Sequence, residues 1–387
     1  MPFLKFQADN IFTGTEMLDS NKVLVTNEAG IIEDIIDEKD AGIDIQKHQG
    51  TISPGFINCH CHLELSHLIG LIPEHTGMVD FILNILQKRA SPEELIQDAI
   101  EQAEDEMIKN GIVAVGDICN TTNTIHQKKK GNLYYHNFIE TSGFIPEFAQ
   151  HRFDTGLEVY KEFSNHFPNN STLVPHAPYS VSSELFELIS NASQNKISTI
   201  HNQESEEENE FFEKGTGDFQ RLYKTLGIDI SHFKHTQKSS LMSVLSQLTK
   251  TSTNILVHNT FTSKNDIEIL NSISAKTQFY FCLCVLANRY ITNCFPNEVL
   301  FEQNLDNIVL GTDSLASNLT LNLLAEIKEL RYNYPFLSAS NLLQFATLNG
   351  AIALGIENKY GSLKKGKQPG IILIDTSFKS LKARILV

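Results

Sequence analysis

Two histidines separated by one residue, His60 and His62, end a run of apolar residues that predicts a β-strand. Side chains two residues apart on a strand point to the same face, so both imidazoles can face one site. Four more polar residues end other predicted strands: His176, His201, His258 and Asp313. Imidazoles and a carboxylate at strand ends predict one divalent metal ion, Zn²⁺ or Fe²⁺. The H-x-H pair alone would fit half-buried structural histidines equally well.

The ligands predicted from these residues are His60, His62, His201 and Asp313, with a water in the open position. A metal ion lowers the pKa of such a water to roughly 7, which predicts hydrolytic chemistry. Glu204 lies three residues after His201, where its carboxyl could protonate a leaving group as a general acid. The alternative is a solvated acidic face. That face would comprise Glu204, Glu206, Glu207, Glu208 and Glu210.

Short apolar strands alternate with helices through the middle of the chain. Eight strands are predicted, at Thr51–His62, Ile112–Ile118, Leu133–Glu140, Thr172–His176, Ile197–His201, Asn254–His258, Gln278–Cys284 and Asn307–Asp313. Helices are predicted after the cap residue Ser91 and at Asp266–Ile273, Leu319–Leu330 and Asn341–Leu354. This alternation predicts an α/β fold, a (β/α)₈ TIM-type barrel with its site at the carboxyl ends of the strands. A doubly wound open sheet is the rival, but Gly215-Thr216-Gly217 does not complete a dinucleotide fingerprint.

The amino-acid composition disfavours several classes of binding partner for the chain. Its 387 residues include 31 basic and 46 acidic side chains, a formal net charge of −15, which disfavours nucleic acid. No apolar run is long enough to span a bilayer and no leader is visible, so we expect no membrane partner and a cytoplasmic protein. Six cysteines are too few for a disulfide scaffold, and we expect Cys59 and Cys61 to pack without ligating metal. Both chain ends have β-type patterns, at Lys22–Thr26, Ile31–Ile36 and within Gly361–Val387.

As a set, six motifs resemble the amidohydrolase superfamily, and within it the aminohydrolase branch of cytosine, guanine, S-adenosylhomocysteine and aminodeoxyfutalosine deaminases and triazine hydrolases. The motifs are Pro54–His62, Pro175–Ser180, His201–Glu204, Leu256–Asn259, Gly311–Ser314 and Gly361–Lys367. The resemblance implies the same barrel at residues 53–357, with a composite β-sandwich domain formed by residues 1–52 and 358–387. It also implies one metal held by the same four ligands, and homodimerisation is a family expectation.

The resemblance assigns further roles at this site. His258 would orient the hydrolytic water or the substrate, Asp313 would also act as base, and Glu204 would move the proton. His176 would contact the substrate ring. No lysine stands between residues 162 and 195 to bridge two metals, which favours one metal and deamination, although Glu140 could support a second. The segment Cys284-Val285-Leu286-Ala287-Asn288 departs from the family pattern by lacking a proline and a polar residue.

The function predicted from the sequence is metal-dependent hydrolytic deamination of a small N-heterocyclic amine, purine-like or a nucleoside derivative, with release of ammonia. The alternatives are another hydrolase of the superfamily (cyclic amide opening, imidazolone hydrolysis or dechlorination) and a non-catalytic protein on the same fold. Substrate contacts are predicted at His176, Glu64, Arg152 and Ser314. Glu64 could instead support a ligand histidine, and Arg152 could be an ordinary surface residue.

Overall fold

A computed structural model of the protein describes residues 3–375 and 383–386. Its strands are β1 (Phe3–Gln7), β2 (Asn10–Phe12), β3 (Met17–Asp19), β4 (Lys22–Asn27), β5 (Ile32–Asp37), β6 (Gln46–Lys47), β7 (Thr51–Pro54), β8 (Phe56–Cys61), β9 (Ile112–Cys119), β10 (Tyr134–Thr141), β11 (Ser171–Pro175), β12 (Ile197–Asn202), β13 (Thr253–His258), β14 (Gln278–Leu283), β15 (Ile308–Leu310), β16 (Ile371–Ile374) and β17 (Ala383–Ile385).

Helices occupy most of the connections between the later strands. They are α1 (Met78–Lys88), α2 (Glu93–Lys109), α3 (Ile125–Lys128), α4 (Ala149–His166), α5 (Ser183–Ala192), α6 (Glu206–Lys214), α7 (Phe219–Leu226), α8 (Ser240–Leu248), α9 (Lys264–Ile273), α10 (Val285–Thr292), α11 (Leu323–Asn333), α12 (Ala339–Phe345) and α13 (Leu348–Ala353). Among the described helices, none combines the length and apolar character needed to cross a membrane.

Eight parallel strands form the centre of this mixed α/β fold. They pair as two four-stranded sheets, in the orders β8-β9-β10-β11 and β12-β13-β14-β15. The sheets meet at both edges: the backbone N–H of His201 donates to the His176 carbonyl at 2.9 Å, and the N–H of Asp313 donates to the His60 carbonyl at 3.1 Å. One buried apolar cluster takes side chains from both sheets, including Phe138 and Val309. All eight predicted strands are therefore present, and their carboxyl ends lie together.

The helices cover the strands because their apolar residues recur at helical spacing. In α2 the buried positions Ile96, Ile100, Ala103 and Met107 belong to the same core cluster as residues of β9 and β10. The predicted cap at Ser91 is wrong, because the helix begins at Glu93 after Pro92 and makes no side-chain cap bond. In α9, by contrast, Ser263 and Asp266 form a reciprocal capping box that the sequence analysis did not predict.

The two chain ends form two further sheets, and one of these sheets contains strands from both ends. Their orders are β5-β4-β1-β6 and β17-β16-β7-β2-β3. The second sheet joins both ends directly, because β7 pairs antiparallel with β16 and parallel with β2. Phe6 and Leu24 of one sheet share a buried cluster with Ile11, Ile52 and Ile371 of the other. The predicted β-type segment 361–387 is described except for residues 376–382 and 387, which lie outside the described residues.

Several predicted elements differ in extent from the observed ones, including the strand predicted at Asn307–Asp313, which is observed at Ile308–Leu310. The single strand Thr51–His62 is two strands, because the chain turns from one sheet to another at Gly55, where a Cβ would collide with Val113. The helix expected at Leu319–Leu330 begins at Leu323, because Asn322 caps it there. The helix expected at Asn341–Leu354 is divided into α12 and α13 at Thr347, whose ψ of −88° leaves the helical region.

Candidate metal centre and active site

Four side chains from three strand ends converge at the edge where the parallel strands finish. The Nε2 atoms of His60 and His62 lie 3.1 Å apart, and Nε2 of His201 lies 3.3 Å from that of His62. Oδ1 of Asp313 is 3.3 Å from Nε2 of both His60 and His62. The four residues are buried, and they form a group whose ligand atoms all lie within 4.8 Å of one another. The four predicted ligands are therefore brought together.

The spacing of these atoms fits a coordinated cation better than a hydrogen-bonded cluster. Zinc–nitrogen and zinc–oxygen bonds of about 2.0–2.2 Å separate neighbouring ligand atoms by roughly 2.9–3.5 Å, depending on the angle between them. The observed separations of 3.1 and 3.3 Å fall in that range. Burial lowers the pKa of His62 to about 4 and that of His201 well below its usual value, so both imidazoles are neutral and can ligate. The donor set therefore fits one Zn²⁺ or Fe²⁺ ion.

Asp313 is held as a carboxylate in this buried place. Burial opposes its ionisation, but the hydrogen bond from His60 and the proximity of the buried imidazoles lower the pKa of the carboxyl well below its usual range. Its second oxygen, Oδ2, accepts a hydrogen bond from Ser317 at 2.5 Å. Asp313 has a left-handed backbone with φ of 56°, which turns its side chain toward the histidines directly after β15.

Outer contacts fix the orientation of the ligand His201. Its Nδ1 donates to the backbone carbonyl of His176 at 2.9 Å, which directs Nε2 toward the other ligands. Oε2 of Glu140 lies 3.5 Å from the same Nδ1, and Oε1 accepts from Asn120 at 3.1 Å. Glu140, His176 and His201 form a second group with metal-ligand spacing. Glu140 therefore contacts the Nδ1 side of His201, whereas the Nε2 side faces the other ligands.

Glu204 and Glu208 are buried, so the alternative of one solvated acidic face does not hold for these two residues. Glu204 is 5% exposed and Glu208 is 0% exposed. The Glu208 carboxylate accepts hydrogen bonds from the backbone N–H groups of Gln203 at 3.1 Å and Glu204 at 3.2 Å. These bonds hold a turn in which Gln203 has a left-handed φ of 47°. Burial, together with Asp313 and Glu208, raises the pKa of Glu204 well above its usual value, which favours the protonated form of this carboxyl.

His258 ends β13 and lies between Glu204 and a residue that the sequence did not single out, Asn288. Its Nδ1 is 2.7 Å from Oδ1 of Asn288, and its Nε2 is 3.4 Å from Oε1 of Glu204. The ring is 0% exposed and stacks on that of His201, with centroids 5.5 Å apart. Burial lowers the pKa of His258 to about 4, so the imidazole is neutral. The imidazole of His258 can therefore accept a proton, or orient a hydrogen-bonded group, beside Glu204.

The metal centre lies in a cavity of about 560 Å³. All four predicted substrate contacts line it: His176, Glu64, Arg152 and Ser314. Glu64 is buried, and its carboxylate accepts from the backbone and hydroxyl of Thr121 at 2.9 and 2.7 Å. Burial raises the pKa of Glu64 to about 7. Among the described residues, Glu64 accepts hydrogen bonds from Asn120 and Thr121 and from no ligand histidine, so its bonds hold the loop after β9.

The other three predicted contacts differ in how firmly they are held. Arg152 is exposed at the cavity mouth, and its Nε donates to the carbonyl of Ser142 at 2.5 Å. His176 has its Nδ1 2.6 Å from the hydroxyl of Ser180, and its ring lies beside that of His201 with centroids 4.8 Å apart. Ser314 is buried, and its hydroxyl accepts from the backbone of Ala316 at 3.2 Å.

One wall of the cavity is apolar and reaches solvent. Its side chains come from α1, α7 and the segment after β10, namely Met78, Phe81, Ile82, Ile85, Leu86, Phe144, Ile145, Phe148, Leu222, Tyr223, Leu226 and Ile228. Leu86, Phe148 and Leu226 are 46%, 56% and 39% exposed while lining the cavity, so they form its rim. Salt bridges at 2.6 Å from Arg221 to Asp80 and Asp218 connect α1 to the start of α7.

Sequence reasoning also missed a fully buried ion pair beneath the first ligand strand. Nζ of Lys128 lies 2.6 Å from Oδ2 of Asp117, and both side chains are 0% exposed. Oδ1 of Asp117 accepts from the backbone N–H of Leu63 at 2.8 Å, directly after His62. All six cysteines are free thiols, and burial raises the pKa of Cys59 and Cys61 well above the usual value.

Comparison with known proteins places this site in a family. The family model described as "Amidohydrolase family" matches residues 51–385. A 5-methylthioadenosine/S-adenosylhomocysteine deaminase of Teredinibacter turnerae is 27% identical over 343 residues, covering 84% of this chain and 71% of that protein. The crystal structure of Helicobacter pylori aminofutalosine deaminase in complex with methylthio-coformycin superposes with a TM-score of 0.80 at 23% identity, covering 95% of this chain and 91% of that one.

A zinc-containing structure has a similar fold. An adenosine deaminase from Xanthomonas campestris with bound zinc superposes with a TM-score of 0.70 at 19% identity, covering 97% of this chain and 85% of that one. The match to the family model and these likenesses imply a TIM-barrel-type fold. Since the family model covers most of the chain, including every residue of the metal centre, the chain belongs to the amidohydrolase family.

Proposed function

We propose that this chain is a metal-dependent hydrolytic deaminase of an adenosine derivative. The observation that carries the proposal is the convergence of three Nε2 atoms and one carboxylate oxygen beside the buried carboxyl of Glu204, whose pKa is raised. A hydrolytic deaminase needs a proton donor for the ring nitrogen next to the water that attacks the ring carbon. The relative from Teredinibacter turnerae, named for 5-methylthioadenosine and S-adenosylhomocysteine, supports a nucleoside as substrate.

The proposed metal is a single Zn²⁺ ion held by His60, His62, His201 and Asp313. Zinc suits a site of three imidazoles and one carboxylate, and the zinc-containing deaminase from Xanthomonas campestris supports it. A zinc ion supplies a bound water that ionises near neutral pH. Glu140 lies on the outer side of His201, and we assign it to orienting this ligand.

The chain's own residues would move the protons. The raised pKa of Glu204 favours its protonated form, which would deliver a proton to a ring nitrogen of the base. Asp313 remains ionised and would accept one proton of the attacking water and return it to the amine, which leaves as ammonia. The second proton of the water would restore the one that Glu204 gives to the ring nitrogen. The neutral His258 lies 3.4 Å from Glu204 and would orient the water or the amine that leaves as ammonia. His176 would contact the base, and Glu64, Arg152 and Ser314 would contact the rest of the nucleoside.

The apolar rim supports a substrate with an apolar group at the 5′ position of the ribose. Leu86, Phe148 and Leu226 line the cavity yet are exposed, and exposed apolar surface at a cavity mouth marks a ligand contact. A free 5′ hydroxyl would gain nothing there, whereas each buried CH₂ or equivalent group contributes about 0.8 kcal/mol. We therefore expect 5′-methylthioadenosine to be preferred over adenosine by about tenfold in kcat/KM.

We also propose that β8–β15 close into one (β/α)₈ barrel, formed by residues 53–357. The two hydrogen-bonded edges and the shared apolar cluster support closure. The residues at the two ends, 1–52 and 358–387, would form one composite β-sandwich domain. The pairing of β7 with β16 and the common cluster of both end sheets support that division.

The test is metal analysis followed by ammonia release from a panel of 5′-methylthioadenosine, S-adenosylhomocysteine, 5′-deoxyadenosine, adenosine and guanine. We expect one metal per chain and release of ammonia from the adenosine derivatives. Phe148→Ala should reduce the preference for 5′-methylthioadenosine over adenosine. Phe336→Ala is the matched control, because Phe336 is equally exposed at 56% and does not line the cavity. A metal-loaded protein that releases no ammonia from any adenosine derivative would contradict the proposal.

A further inference from the structure

We infer that Asn288 is a positioning residue that holds His258 in one tautomer, with its proton on Nδ1 and a free electron pair on Nε2. Asn288 lies in the first turn of α10, in the segment that departs from the family pattern, and it is 1% exposed. The inference rests on the proposed deaminase function, because it assigns a task to His258 in that reaction.

The hydrogen bond between the two side chains carries the inference. Oδ1 of Asn288 lies 2.7 Å from Nδ1 of His258, and a carboxamide oxygen has no proton to give, so Nδ1 is the donor. A neutral imidazole has one N–H, which leaves Nε2 as an acceptor. The opposite tautomer would set two acceptors against each other in a buried place, which costs about 1–3 kcal/mol.

The free electron pair faces the proposed proton donor. Nε2 of His258 lies 3.4 Å from Oε1 of Glu204, and no described residue makes a hydrogen bond to that buried nitrogen. In this tautomer Nε2 can accept a proton or a hydrogen bond from Glu204, from water or from the amine that leaves. In the other tautomer an N–H would point at Glu204, and Nε2 would have no electron pair with which to accept.

The backbone conformation at both residues holds the hydrogen bond between His258 and Asn288 in place. The N–H of Asn288 donates to the carbonyl of Cys284 at 3.0 Å, which closes the first turn of α10. His258 has a left-handed φ of 75°, a costly conformation that aims the ring across the site instead of along β13. The helix that follows β14 therefore presents an amide oxygen to the histidine that ends β13.

The test compares Asn288→Leu, which removes the acceptor, with Asn288→Asp, which keeps an oxygen at that place. Asn349→Leu is the matched control: Asn349 is also a buried asparagine, but its amide donates to the carbonyls of Leu305 and Ile308. The protein is labelled with ¹⁵N-histidine and loaded with zinc, and the ring nitrogens of His258 are assigned from a His258→Gln spectrum. The second measurement is kcat and KM for 5′-methylthioadenosine, with metal content.

In the wild type and in Asn288→Asp we expect His258 to carry its proton on Nδ1. In Asn288→Leu this tautomer should no longer dominate, and kcat should fall by about 10–100-fold with little change in KM or metal content. Asn349→Leu should change neither the tautomer nor kcat. The inference is overturned if Asn288→Leu keeps the Nδ1 proton or the wild-type kcat, or if kcat falls equally in the control. A wild type that deaminates no nucleoside would refute the proposed function, while the spectrum would still decide the tautomer.

Discussion

Replacement of Glu204 by glutamine removes the one proton that the proposed reaction takes from a buried carboxyl. Glutamine has nearly the same shape and can still donate a hydrogen bond, but its amide has no proton that can be transferred. Glu204 is not among the four ligand residues, and its backbone is held by Glu208 through a bond that the substitution leaves in place. The metal and the fold should therefore persist in Glu204→Gln.

The expected loss follows from the position of the carboxyl. A positioned general acid contributes about 10²–10⁴-fold to the rate, which is about 3–5 kcal/mol. We expect the upper part of this range, because the side chain is 6% exposed and water cannot replace it as a donor. Glu204→Asp keeps a transferable proton but withdraws it by roughly one C–C bond, about 1.5 Å, so its loss should be intermediate.

The assay is steady-state ammonia release from 5′-methylthioadenosine, with metal content measured on the same samples. Glu206→Gln is the matched control, since Glu206 is exposed two residues further along the chain. We expect Glu204→Gln to lose most of kcat with KM nearly unchanged and Glu206→Gln to retain both. Turnover of Glu204→Gln close to that of the wild type would refute the proton-donor role, and equal losses in both variants would show a non-specific effect.

Three further outcomes are expected. Chelation should abolish turnover, and zinc should restore it. Removal of an ion supplied at a thousand times its Kd should lower the free energy of unfolding by about 4 kcal/mol. Activity that survives complete removal of the metal would contradict the proposed metal site. Lys128→Met should cost about 3–5 kcal/mol in denaturant unfolding by leaving Asp117 charged and buried, and Lys128→Met with Asp117→Asn should recover part of that cost. Burial lowers the pKa of His136 to about 4, so stability should fall as pH falls from 6.5 toward 4, and less so in His136→Gln; identical pH profiles would contradict this.

The metal ligands could be predicted from the sequence because strand ends carry a local signal. His60 and His62 occupy alternate positions of an apolar run, and His201 and Asp313 end similar runs. Parallel strands bring all their carboxyl ends to one edge of the sheet. The proximity of residues far apart in the chain can therefore be predicted without knowing any tertiary contact. Glu204 could be predicted because it lies three residues after His201 in the sequence.

The supporting residues could not be predicted, because their signals are not local. Asn288 is four residues into a segment whose pattern is unusual, and its partner His258 is thirty residues away. Glu208 belongs to a run of acidic residues in which only burial separates it from Glu206. One apolar run divides between two sheets at Gly55. Val113 packs there so closely that no Cβ would fit, and the sequence pattern alone does not reveal this contact.

The backbone at the site explains why these supporting residues are needed. Gln203, His258 and Asp313 have φ of 47°, 75° and 56°, and each such conformation costs about 1–3 kcal/mol for a residue other than glycine. Each is tied to a neighbouring strand or helix: Gln203 by the Glu208 carboxylate, His258 by Asn288, and Asp313 by its N–H bond to His60. The left-handed turns aim side chains across the strand ends, and the buried anchors offset their cost. A site of this kind is stable only with both sets of residues, so those that never touch a substrate are as necessary to its geometry as the ligands.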